Sequence, residues 1–121
     1  MLRLLSVLDL ALLAAPAAFA AGDAAAGKKN FDMLCFTCHG MTGKGDGPAG
    51  AALTPPPRDF SKGDFKFDAN KDGKAGEDAD LKLVIKNGGG AYGGNPAMAP
   101  WGHLADKDLD DLIAYVRSLK K

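Results

Sequence analysis

The chain is 121 residues long, the size of one domain, and its 15 Lys and Arg balance 15 Asp and Glu. A formal net charge of zero argues against the broad basic surface that binds nucleic acid or an anionic membrane. Glycine supplies 16 residues, well above the roughly 7% of average usage, so much of the chain must be loop. A chain this small and this rich in glycine has little side-chain volume for a core, and such domains gain stability from a disulfide, a metal or a cofactor.

Residues 1–20 read as an export signal. Arg3 gives a positive start, a mostly Leu and Ala run follows to Phe19, and Ala18, Phe19 and Ala20 fit the small-x-small cleavage rule. Asp9 interrupts the apolar run, and the alternative is a retained anchor that holds the domain at the membrane. Either route places the domain at 21–121 in a bacterial periplasm. Asp23 then caps a helix over about 24–34, with Gly27 and Phe31 on one face. From 40 to 78 the punctuation is dense: Gly43, Gly45, Gly47 and Pro48, then three prolines at 55–57 that read as a short extended segment. Asp78 or Asp80 opens a second helix with Leu81, Val84 and Ile85 as its buried stripe, and Gly88 stops it. Beyond the glycine-rich loop and Pro96 to Trp101, Leu109, Leu112, Ile113 and Val116 recur at helical spacing and predict a last helix over 106–119. No segment alternates as a strand does. The expected architecture is all-α, with three main helices and long loops. So much loop in a compact domain is acceptable when the loops wrap a large apolar cofactor that serves as the missing core.

The two cysteines, Cys35 and Cys38, are followed at once by His39. A disulfide between them closes too small a loop to constrain the unfolded chain much. A thioredoxin-like dithiol needs a preceding strand and a βαβ context. A closed zinc site needs four ligands; the candidates are Cys35, Cys38, His39 and His103, and the adjacency of Cys38 and His39 makes a shared tetrahedron awkward. The full Cys-x-x-Cys-His string is the attachment pattern of c-type haem. Two thiols three positions apart add across the two haem vinyl groups, and the next residue sets an imidazole on the iron. One haem c tethered through Cys35 and Cys38, with His39 on its iron, is therefore expected.

The other face of the iron can be met by Met98, His103, Met41 or Met33. Met33 and Met41 lie next to the motif, whereas a ligand to the opposite face must come from a distant loop. Met98 stands 59 residues beyond His39, between Pro96 and Pro100, where both prolines restrict the backbone. Met98 is the leading candidate, with His103 and an open position as alternatives. Asn95, Tyr92 and Trp101 are candidates to stand near the methionine sulfur or the haem propionates, and Arg58 to pair with a propionate.

Taken in order, these features resemble the small class I c-type cytochromes of the bacterial periplasm, over about residues 23–119. They are the Gly27 and Phe31 helix, the string from Cys35 to Gly40, the Gly45 to Pro48 turn, the methionine-bearing loop, and a last helix with Tyr115. The resemblance implies a cytochrome c fold in which the first and last helices cross at Gly27, Phe31, Leu112 and Tyr115. It implies that the carbonyl of Pro48 accepts a hydrogen bond from the His39 ring and fixes it as a ligand. Family methionines commonly stand directly before a proline; here Ala99 intervenes.

A thioether raises the reduction potential relative to a second imidazole, and six-coordinate iron leaves no place for a substrate. The expected function is non-enzymatic electron transport: a monomeric one-electron carrier between a donor dehydrogenase or membrane complex and a terminal oxidase or reductase. Two rivals differ in the site. A haem-based ligand sensor requires Met98 off the iron, and a dithiol oxidoreductase requires no haem. A separate motif, Asp68, Asn70, Asp72 and Gly73, matches the first half of an EF-hand calcium loop, but the twelfth position is Ala79 instead of glutamate. The plainer reading is a turn rich in Asx residues before a capped helix.

Overall fold

The structure, a computed structural model, describes residues 22–121. The expected export signal at 1–20 lies outside the described residues. The α-helices are α1 (Ala24–Leu34), α2 (Phe36–His39), α3 (Asp78–Asn87) and α4 (Asp106–Ser118), with 3₁₀ turns at Phe60–Lys62 and Gly89–Tyr92. The three main helices stand where the sequence places them, and the described residues contain no strand. The single turn α2 and the two 3₁₀ turns are additions, each too short to show an amphipathic period in sequence. Among the described residues, no helix is long and apolar enough to cross a membrane.

The α1–α4 crossing organises the fold. Asp23 caps α1 as expected, its carboxylate accepting from the amides of Ala25 (2.9 Å) and Ala26 (3.3 Å). Gly27 is buried in the next turn, and a Cβ there would overlap the carbonyl of Asp111 on α4. The two backbones are in contact, which only glycine permits. One turn on, Phe31 meets Tyr115 edge to face with ring centroids 5.0 Å apart, and Leu112 packs in the same cluster. The four residues expected at the crossing are the residues found there. Asp111, almost fully buried, fastens the pair: Oδ1 accepts from the Asp23 amide (2.7 Å) and Oδ2 from Lys107 Nζ (2.7 Å).

α3 packs against α4 and is held by ionic contacts at its solvent edges. Lys82 reaches Asp110 at 3.1 Å, and Arg117 of α4 donates to Asp78 (2.9 Å) and to the Gly76 carbonyl (2.6 Å) while lying over the Phe65 ring. Before α3, Asp68, Asn70 and Asp72 direct their side-chain oxygens at the amides of Asp72, Gly73 and Lys74, so the segment is a self-bonded Asx turn. Asp80 turns inward and accepts from the amides of Glu77 (3.0 Å) and Asn70 (3.2 Å), which ties this turn to the start of α3. Seven apolar side chains are buried among the described residues, and five of them belong to α4, so the loops on the far side of α3 and α4 have almost no protein core beneath them.

Gly27→Ala forces the helices apart and is expected to cost about 1–3 kcal/mol in a denaturant titration, the usual range for overpacking. The Lys107 ammonium and the Asp23 amide hold the Asp111 carboxyl below its ordinary value of 3.8. A carboxyl whose folded pKa is depressed contributes stability above its unfolded pKa and loses it as pH falls toward the folded value. Asp111→Asn, which keeps the shape, should therefore melt at a lower temperature than the parent at pH 7, with the gap closing as pH falls below about 3.8 in thermal scans.

Candidate functional site

Cys35 ends α1 and begins α2, so the two thiols and the imidazole leave one almost continuous helical rod. The turn is closed by His39 N to Cys35 O (2.9 Å) and Gly40 N to Phe36 O (2.8 Å). The chain then doubles back onto the carbonyls of that turn: Gly45 donates to His39 (2.9 Å), Gly47 to Cys38 (3.1 Å) and Ala49 to Thr37 (2.8 Å). Gly47 lies so close that a Cβ would overlap the carbonyls of Phe36 and Thr37. The glycines that read as loose punctuation in the sequence are packing positions that hold the cysteine motif rigid.

Phe60, in the first 3₁₀ turn, lies nearly parallel to the His39 ring at 4.7 Å. Asp59 sets that turn by accepting from the amide and hydroxyl of Ser61 at 2.9 Å and 2.6 Å. Sequence reading missed Phe60; the only local signal was an aspartate two residues before a serine, which marks a turn but not its target. Burial pushes the His39 imidazole down to about 4, which keeps it neutral with a lone pair to offer. Its Nδ1 is buried and makes no hydrogen bond. The bond to the Pro48 carbonyl that the resemblance implies is not formed in this structure, and the His39 ring packs on Phe60 instead.

A cavity of about 710 Å³ opens between α2, α3 and the two long loops. Cys35, Cys38, His39 and Met98 all line it. Of the alternatives to Met98, Met33 and Met41 are 73% and 66% exposed and His103 is exposed, and none of the three borders the cavity. Arg58, Asn95 and Trp101 border it; Tyr92 does not, its hydroxyl accepting instead from Asn87 Nδ2 at 2.7 Å. Met98 is presented by a segment bound through its main chain: Met98 N donates to Asn95 O (3.0 Å), Gly89 N to Met98 O (3.0 Å) and Trp101 N to Ile85 O (2.9 Å). Gly88 and Gly89 let this segment settle on the end of α3. A Cβ at Gly88 would stand 2.8 Å from the Met98 carbonyl, and one at Gly89 would stand 3.0 Å from Met98 Cβ.

The residues fit a haem. The volume falls within the roughly 300–1,000 Å³ typical of ligand pockets, and the walls are largely apolar, with Leu81, Val84, Ile85 and Phe67 among them. Two thiols, a neutral buried imidazole and a thioether converge on one space. The dithiol alternative does not fit. Burial, and then the neighbouring Cys38, push the Cys35 thiol up to about 11, away from the thiolate that a redox dithiol needs, and a helix instead of a strand precedes the motif.

The sequence model of the family described as Cytochrome c matches residues 24–120, nearly all of the described chain. The chain belongs to the cytochrome c family. It is 39% identical to cytochrome c-554(547) of Halothiobacillus neapolitanus over 104 residues, covering 83% of this chain and 100% of that protein. Among solved structures it is similar to a chain of the reducing HAO-like protein complex of Kuenenia stuttgartiensis, with a TM-score of 0.65 and 28% identity over 78% of this chain. This cytochrome spans 41% of that longer chain. Membership of the family implies covalently bound haem c and agrees with the all-α fold and with the spacing of Cys35 and Cys38.

Gly89→Ala places a methyl 2.9 Å from Asn95 O and 3.0 Å from Met98 Cβ, closer than such atoms pack. It is expected to lift the Met98 segment off α3 and to lower stability by about 1–3 kcal/mol in equilibrium unfolding.

Proposed function

We propose that this cytochrome is a periplasmic one-electron carrier with a single haem c, tethered by Cys35 and Cys38 and bound at its iron by His39 and Met98. The observation that carries the reading is the meeting of these four side chains at one apolar cavity. When bound, the haem supplies an iron that changes oxidation state by one electron. Cys35 and Cys38 hold the group at the end of α1. His39, kept neutral by burial, offers a ring nitrogen. Met98 offers a soft sulfur that favours the ferrous state and raises the potential. Both ligands sit on segments fixed by main-chain hydrogen bonds, so a change of charge on the iron asks for little movement of the chain.

The export signal read at 1–20 supports the periplasm, the compartment where a c-type haem is attached. The partners on this reading are redox proteins: a dehydrogenase or membrane complex as donor, and an oxidase or reductase as acceptor. Similarity to a chain from an HAO-like protein complex supports protein partners.

The haem should stay with the polypeptide on a denaturing gel and be lost when Cys35 and Cys38 are both replaced by alanine. The ferric protein should show a near-infrared methionine–iron band, absent in Met98→Leu, whose reduction potential should be lower. A high-spin ferric spectrum in the parent that shifts readily with cyanide would favour the ligand-sensor alternative and sink the carrier.

A further inference from the structure

We infer that Asn95 is a positioning residue, whose amide fastens the methionine segment to the proline segment across the cavity and so keeps Met98 at the iron. The inference rests on Met98 as an iron ligand, as proposed above. Asn95 makes hydrogen bonds in two directions. Toward its own segment, its main-chain carbonyl accepts from Met98 N at 3.0 Å and its Oδ1 accepts from Ala97 N at 2.9 Å. Toward the other wall, its Nδ2 donates to the carbonyls of Thr54 (3.2 Å) and Pro55 (3.3 Å), some 40 residues earlier in the chain. Asn95 and Pro55 both border the cavity.

The remaining main-chain ties of this segment, at Gly89 and Ile85, all lead to the α3 side. Without Asn95 the segment is hinged along one edge, and Met98 can swing away from the cavity with the exposed residues around it. With Asn95 it is pinned at both edges. The task requires an acceptor and a donor on one short planar group, which asparagine provides. Aspartate has the same shape but only acceptors when ionised, and it sets a negative charge against two carbonyl oxygens. Alanine removes both halves of the clamp.

The test uses the haem-loaded full chain and added imidazole, which competes with Met98 for the iron. Loss of two hydrogen bonds in Asn95→Asp, or three in Asn95→Ala, should raise the population with Met98 displaced, so each variant should bind imidazole about tenfold more tightly than the parent. Their near-infrared band should weaken in step, and Met98→Ala marks the limit of full release. Denaturant midpoints are measured alongside, because a residue that only stabilises the fold would shift the midpoint and leave imidazole affinity unchanged. Parent-like imidazole affinity in both variants overturns the inference. A parent that lacks the band and binds imidazole as tightly as Met98→Ala overturns the ligand assignment itself, before any change at Asn95 is considered.

Discussion

The contact between Gly27 and the main chain of Asp111 sets the rest of the structure. It brings α1 and α4 to backbone distance, and every later element is placed relative to that pair. The end of α1 becomes the base of the cysteine motif, so the closeness of the helices decides where Cys35, Cys38 and His39 stand. The buried face of α4 then fixes Phe31 and Tyr115 on one side and supports α3 on the other. A side chain at position 27 would tilt α1 and carry the whole motif with it. Small size at one position therefore controls geometry three turns away.

The protein's own core is too thin to account for the fold. α4 supplies most of the buried apolar side chains, while the loops from Gly40 to Glu77 and from Gly88 to Ala105 surround a large space. Those loops are ordered locally by main-chain bonds and by aspartate and asparagine side chains. The space between them has apolar walls and carries the reactive groups at its edges, which is the arrangement expected when the cofactor is also the core. The burial that keeps His39 neutral and the Cys35 thiol protonated follows from the same walls. Packing and chemistry here have a common cause.

Much of this was legible in the sequence. The main helices were marked by strong signals: a capping aspartate, a helical apolar period and a terminating glycine. The cysteine motif and Met98 were legible because their residue types and order are rare together. Phe60 was not, because its role depends on a turn folding back from more than 20 residues away, and no local pattern encodes that. Gly88 read as the stop of a helix and Gly89 as part of the loop after it, whereas their lack of side chains also lets two backbones touch; composition alone does not reveal that second role. The Pro48 expectation came from resemblance. The structure sets that residue at the surface and leaves the imidazole nitrogen without a partner.

The methionine segment has one more implication. Its anchors are main-chain groups and the Asn95 amide, while Pro96, Ala97, Ala99 and Pro100 face solvent. The groups that hold this segment are thus main-chain atoms and one amide, and its outward side chains take little part in holding it. The anchoring depends on the main chain more than on the side chains around it, Pro96 and Pro100 excepted because both restrict the backbone beside Met98. Placement and exposure are thus set by different atoms of the same six residues, Asn95 to Pro100: the main chain and one amide fix where the sulfur stands, and most of the side chains form the outer face.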